Sequence, residues 1–279
     1  MALASVSAEV DVVNMALQRL GQATIATMTE SSRDANIANQ IYDQNRDFCL
    51  QLTDWDCILK RQTMTRSGRI SITSATAADP VHLTASGHTY IANELVTVED
   101  AGGMTQLNND IFRVFAAGTD TLTLYAIDGT SLDGSGYTAY TSGGLLLRYP
   151  GGDFSYVYDL PTDCLRVVNV LDEQFSFDTA RSIDGNTWRK ERTFLYTDLE
   201  NAGVLYTKQE TDPSLYEPDL VEVIVARLAW FISMRIHAMK DLRADMRAEY
   251  QGALARAKLT NATGGSDGGE PEPLWAEVR

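Results

Sequence analysis

Cysteine, histidine and positive charge are all scarce in this chain. Its 279 residues include 3 Cys and 3 His, and Lys+Arg reach 23 against 38 Asp+Glu, a formal net charge of −15. The cysteines, Cys49, Cys57 and Cys164, sit at unpatterned spacings with no CxxC pair. That excludes a disulfide framework and a zinc ribbon, points to a reducing compartment, and leaves the thiols as small buried filler. No run of about 18 apolar residues occurs, and Glu9 and Asp11 interrupt the apolar start, so neither a signal peptide nor a membrane span is expected. A nucleic-acid clamp works by neutralising phosphates with cations, and the acidic balance argues against one. The sequence reads as that of a soluble intracellular product.

The remaining composition is that of a globular protein, 44% hydrophobic and 22% charged, and the length suffices for two modest domains. Val6, Val10, Val13, Leu17 and Leu20 recur at three- and four-residue spacing, and Gly21 follows as a stop. A second helix is expected from Ser31, with Asp34 in a capping-box position, running through Ala38, Ile41, Phe48, Leu52 and Trp55. From Arg66 to Gly144 the character changes to strands. Short β-branched or aromatic runs at Ile70–Thr73, Leu95–Val98, Ile111–Phe115 and Thr121–Tyr125 alternate with Gly102-Gly103, Gly118, Asp128-Gly129 and Asp133-Gly134. Further extended segments follow at Leu145–Leu147, Phe154–Tyr158, Leu165–Val170 and Thr193–Thr197.

Asp212-Pro213 and Glu217-Pro218 announce a long helix, whose stripe is Leu228, Ile232, Ile236, Met239, Leu242, Met246, Tyr250 and Ala253. Roughly forty residues at about 1.5 Å each would span about 60 Å, more than a domain this small covers. The expectation is therefore that part of it packs against a neighbouring copy, through Arg235, Met239, Arg243, Met246, Arg247 and Tyr250. Between Arg227 and Lys258 there are seven cations and three acids, which reads as a face laced with ion pairs or as a cationic strip meeting an acidic partner. Arg189, Lys190 and Arg192 beside Trp188 read as a surface loop. The tail from Asn261 is a Gly- and Pro-rich linker ending in Leu274-Trp275-Ala276-Glu277-Val278-Arg279, an apolar anchor suited to docking on a partner.

Signals for catalysis are weak. No GxSxG elbow, HExxH helix or phosphate-binding glycine loop occurs, and Gly134-Ser135-Gly136 is a loop tripeptide. His82 and His88 fall in the β segment and His237 beside the long stripe, which favours solvated or core histidines over a metal pair. No catalytic residue, cofactor or metal is assigned.

The order of three blocks resembles the head-to-tail adaptor proteins of tailed bacteriophages, including the tail tubular protein A type. Asn14-Met15-Ala16-Leu17-Gln18-Arg19-Leu20-Gly21 with Trp55-Asp56 is similar to the family's opening "ALxxLG … W" pattern. Asp159-Leu160-Pro161-Thr162-Asp163-Cys164-Leu165-Arg166-Val167 is similar to its "LPxDCLRV" block, and Leu215-Tyr216-Glu217-Pro218 to its C-terminal block. The β segment, with Gly102–Asn108, Ile111–Val114, Asp128–Thr130 and Tyr137–Gly144, resembles a small domain related to the first catalytic-cysteine half-domain of ubiquitin-activating enzymes. That likeness is one of fold and carries no ubiquitin chemistry.

The resemblance implies an α+β structural virion protein and not an enzyme. A helical bundle host with some strands, 1–66 and 147–260, would carry an inserted all-β barrel or sandwich at 67–146 and an extended arm at 261–279. It further implies a ring, usually of twelve copies, beneath the portal. The arm, through Leu274, Trp275, Val278 and Arg279, would grip the portal protein, a tail nozzle or tube protein would bind the opposite face, and genomic DNA would pass through without specific binding. The place of action would be the head–tail interface of the virion, after assembly in the bacterial cytoplasm. Two alternatives remain open: a virion-associated peptidoglycan hydrolase using paired carboxylates, and a receptor- or carbohydrate-binding tail protein reading sugars with Tyr137 and Tyr140.

Overall fold

The structure, a computed structural model, describes residues 6–172, 188–235 and 240–264. The chain is α+β and divides into two compact units. One unit comprises Met1–Lys60, Asp163–Val168 and Tyr206–Arg279, the other Arg61–Thr162 and Asn169–Leu205. The β unit is thus larger than the 67–146 expected. It also takes in the hairpin and strand that follow the barrel, because these hydrogen-bond within it.

Among the described residues the first unit carries four α-helices: α1 (Glu9–Arg19), α2 (Arg33–Leu50), α3 (Pro218–Arg235) and α4 (Lys240–Gly264). Helix α1 starts where the Asp11 carboxylate accepts from the backbone N–H of Ser7 and Ala8 and from the Ser7 hydroxyl, each at 3.0 Å. It ends at Gly21, whose φ of +66° lets Gln22 N–H reach the Leu17 carbonyl and Gly21 N–H the Gln18 carbonyl. The cap of α2 is Ser32, one residue later than expected, its hydroxyl accepting from Ala35 N–H at 3.2 Å. That helix stops at Leu50 and not at Trp55. Trp55 lies in the following turn, fully buried, its indole N–H donating to the Cys49 carbonyl at 3.0 Å.

The single long helix does not exist. It is two helices, α3 and α4, folded back on each other. Arg243 donates to the Ser233 carbonyl, Trp230 stacks on Tyr250 at 5.8 Å, Arg227 reaches the Tyr250 hydroxyl, and Arg256 approaches Glu222 at 4.0 Å. As numbers rise along one helix they fall along the other, so the pair is antiparallel. Met246, Tyr250, Ala253 and Ala257 are buried in the core shared with α3. The physical reason is the composition of α3. Val223, Ile224, Val225, Leu228, Ala229 and Ile232 are fully buried and span its circumference, so it must be covered on several sides. Arg19 ties α1 into the same arrangement, reaching Glu222 at 2.6 Å and Glu249 at 2.7 Å. Burial inside the subunit therefore replaces the burial that a neighbouring copy was expected to supply.

In the second unit, β2 (Ile70–Ser71), β3 (Ser74–Ala75), β4 (His82–Thr84), β5 (Leu95–Gly102), β6 (Ile111–Ala117), β7 (Thr121–Ala126) and β8 (Ser142–Arg148) form one antiparallel sheet in the order β2-β8-β5-β6-β7-β4-β3. Its two end strands are consecutive on the chain. Ile72 N–H bonds the Gly144 carbonyl on the β8 side, and Thr73 N–H the Thr84 carbonyl on the β4 side. One short ribbon thus satisfies both edges and closes the sheet into a barrel, which removes free edges. Val81, Leu83, Val96, Val98, Met104, Leu107, Phe112, Val114, Leu122, Leu124 and Leu146 fill it. Gly103 is required where it stands, with φ +78° and an added Cβ only 2.1 Å from the Ala139 carbonyl oxygen.

Another antiparallel sheet of the same unit runs β11 (Trp188–Glu191), β12 (Phe194–Thr197), β9 (Tyr156–Asp159). The segment expected to be a basic surface loop is therefore a hairpin, with Arg189 paired to Glu191 at 2.9 Å and Arg192 at φ +54° in the turn. The last sheet has the order β1 (Leu59–Thr63), β13 (Ala202–Lys208), β10 (Cys164–Asp172).

The Asp11 cap gives a pH-dependent prediction. Its hydrogen bonds from Ser7 and Ala8 hold the carboxyl below its ordinary 3.8. A depressed pKa contributes stability above the unfolded value and loses it as pH falls through the folded one. Asp11→Asn should therefore lower stability by about 0.5 kcal/mol near neutrality, at the low end for an exposed cap. The gap should close in melts recorded below the ordinary carboxylate range.

Candidate functional site

The three blocks that carry the family resemblance meet in the helical unit. Leu17, Leu20, Trp55 and Tyr216 are buried in one core, and Leu165 packs against it. Polar contacts join the same blocks. Cys57 N–H donates to Glu217 Oε1 at 2.7 Å, Arg166 donates to the Asp54 carboxylate, and Asp163 accepts from the Tyr206 hydroxyl at 2.8 Å. Burial pushes the Tyr206 phenol up from its ordinary value, helped by the neighbouring Asp163 carboxylate.

A second polar centre surrounds Arg46, only 3% exposed, which donates to Asp43 at 2.8 Å and Asp47 at 2.9 Å and lies near Glu9 at 3.4 Å. Gln209 donates to the other Asp47 oxygen at 2.6 Å. Desolvation raises the Glu9 pKa, and the adjacent Asp43 charge adds to it. One guanidinium here satisfies carboxylates from two helices, which suits a structural clamp.

The β unit holds a cleft of about 280 Å³ lined by Thr63, Thr65, Arg66, Arg69, Glu99, Tyr158, Glu200 and Asn201 among others. Arg66 Nη1 donates to both Glu99 oxygens at 2.8 and 3.0 Å, and its guanidinium lies 5.0 Å from the Tyr156 ring centroid. The Tyr158 hydroxyl donates to the carbonyls of Leu199 and Glu200. Opposite charges meet in this cleft without favouring an ion of either sign.

The remaining sequence candidates separate. His82 is exposed, with Nδ1 3.0 Å from Thr123 Oγ1, and His88 sits 6.2 Å from Tyr90, ring centroid to centroid. Among the described residues no group of His, Cys, Asp and Glu could hold a metal ion, and no described helix is long and apolar enough to cross a membrane. Tyr137 and Tyr140 pack against the barrel core, and the Tyr140 hydroxyl donates to the carbonyls of Ile72 and Gly143. Both rings are half-buried. Phe115 is exposed instead: the register shift between Val114 and Ala116 turns it out of the barrel onto Tyr125, stacked at 4.1 Å.

Of the residues expected to face a neighbouring copy, Met246 and Tyr250 are buried within the hairpin, and Arg243 caps the end of α3 at the carbonyls of Ser233 and Met234. Arg235 donates to Gln40 at 2.9 Å, and Arg247 lies 5.8 Å from the Trp230 ring centroid. Met239 and His237 fall outside the described residues, as do the arm residues Leu274, Trp275, Val278 and Arg279. Sequence reasoning missed the outward face of α3. Arg227, Trp230, Phe231 and Met234 stand at i, i+3, i+4 and i+7, a helical signature hidden because the whole helix is apolar.

None of the three cysteines is in a disulfide, and only Cys49 is fully buried. Burial pushes the Cys49 thiol up to about 12 and the Cys57 thiol up to about 11, so neither is a thiolate near neutrality. A disulfide-exchange reagent at pH 8 should leave Cys49 unmodified in the native protein and label it after denaturation. Fast native labelling, read by mass spectrometry, would refute this.

No family model matches the sequence, and no curated protein matches it.

Proposed function

We propose that this chain is a structural virion protein, a head-to-tail adaptor that forms a ring under the portal of a tailed bacteriophage and lines part of the DNA exit channel. The supporting observation is the meeting of the three resembling blocks in one helical core, held by the Cys57–Glu217 and Arg166–Asp54 contacts. The β barrel between those blocks agrees with a helical host carrying an insert. A net charge of −15 per subunit, repeated around a ring, would repel phosphates and let DNA slide past without sticking. Ring formation rests on the resemblance alone, since the hairpin removes the argument from an uncovered helix. The C-terminal segment grips the portal, and the opposite face recruits the tail.

Truncation after Gly264 should leave the subunit folded by circular dichroism while abolishing co-sedimentation with the portal protein of the same phage. Normal co-sedimentation of the truncated chain would overturn the arm assignment.

The hydrolase reading has one observation in its favour, the presence of Glu99 and Glu200 in a single cleft. Against it, Glu99 is held bidentate by Arg66, and Glu200 is exposed, whereas an acid catalyst at neutral pH needs burial to stay protonated. A zymogram on cell-wall substrate separates the two. The adaptor reading expects no clearing, and a cleared band lost in Glu200→Gln would replace it with the hydrolase.

A further inference from the structure

The outward face of α3 is aromatic, cationic and half-exposed. Phe48 is 43% exposed and Met234 40%. The Arg227 guanidinium lies 3.7 Å from the ring centroid of Phe48, 4.8 Å from that of Phe231 and 5.4 Å from that of Tyr250. Its Nε donates to Asn45 at 2.9 Å. Trp230 meets Phe231 edge-on at 5.0 Å and carries Arg247 on its ring. Among the described residues Arg227, Arg243 and Arg247 form no ion pair, in a chain where acids outnumber cations 38 to 23. Turned to rings, Asn45 and helix-end carbonyls among the described residues, these three arginines give the face a positive charge that suits an acidic, apolar occupant.

We infer that this face is the seat of the chain's own C-terminal segment, residues 267–279. That segment offers Leu274 and Trp275 to the aromatic surface and Asp267, Glu270, Glu272 and Glu277 to the arginines, with Arg279 its one cation. The reach also fits. From Arg247 to the end of α4 at Gly264 is about 25 Å at helical rise, and the residues from 265 to 273 span up to about 30 Å when extended. A symmetric contact between two copies of this face would set like charges against each other, which disfavours a second copy as the occupant. Leu274 and Trp275 cannot sit on this face and on a portal at once, so the two dockings are alternatives, and the test reads the first with no portal present.

The test uses the full chain carrying Leu274→Ser and Trp275→Ser, which disables its own segment, and a labelled peptide of residues 265–279. The peptide should bind saturably, one per chain. Binding should weaken about tenfold or more when Arg247→Glu is added, and likewise with Met234→Glu; both positions are exposed, and circular dichroism verifies that each variant folds. It should weaken again on raising salt from about 50 to about 500 mM. The unmodified chain should bind the peptide about tenfold more weakly, because its own segment competes. Absence of saturable binding, or binding unchanged by both substitutions, would overturn the inference. So would sedimentation showing concentration-dependent association of the unmodified chain that is lost in the doubly substituted one, since the segment would then dock on another copy.

Discussion

Helix α3 is buried on nearly every side, and the helical unit is arranged to satisfy that demand. Its apolar residues follow no single stripe, so no one neighbour could cover them. Helices α1, α2 and α4 all pack on it, and α4 must turn back to do so. At about 25 cal/mol for each Å² of apolar surface, exposing the buried valines, leucines and isoleucines of α3 would cost a large share of the roughly 5–15 kcal/mol by which domains are stable. The hairpin therefore follows from burial within one chain, and the subunit does not need a neighbour to complete this core.

The β unit meets a different demand, that of unpaired strand edges. Its answer is a short ribbon, residues 70–76, which pairs first with β8 and then with β4. Closure gives the interior to aliphatic and aromatic side chains, while Ile91, Phe115 and Ile127 stay exposed, Phe115 through a local register shift. The exposed aromatic at this bulge and the aromatic face of α3 are among the places where large apolar side chains meet water. The second adds arginines that meet no carboxylate among the described residues, which makes it the more specific of the two surfaces.

Within the proposed adaptor role the two units contribute differently. The helical unit joins the blocks that resemble the family, with Glu217, Asp163 and Arg166 acting as polar ties among them. Arg227, Arg243 and Arg247 meet rings, an amide or helix-end carbonyls, whereas Arg256 approaches Glu222, so the expected lacing of α4 by ion pairs is only partly present. Arg19 with Glu222 and Glu249 supplies it on the other side of the hairpin.

Local chemistry was legible in the order of residues. The stop at Gly21, the helical periodicity of the opening residues, the change to strands after Arg66 and the helix start at Pro218 all rest on backbone geometry and nearest-neighbour spacing. Those are properties of the chain itself. The reversal between α3 and α4 was not legible, because Leu228, Ile232, Ile236, Met239, Leu242 and Met246 keep a helical period straight through the turn. Periodicity reports which face is apolar and is silent on where the chain turns back. The outward aromatics of α3, the barrel's closing ribbon and the pairing of Arg66 with Glu99 were decided by tertiary structure alone. Each depends on partners far away in sequence, and only the folded chain determines which apolar side chains remain in water.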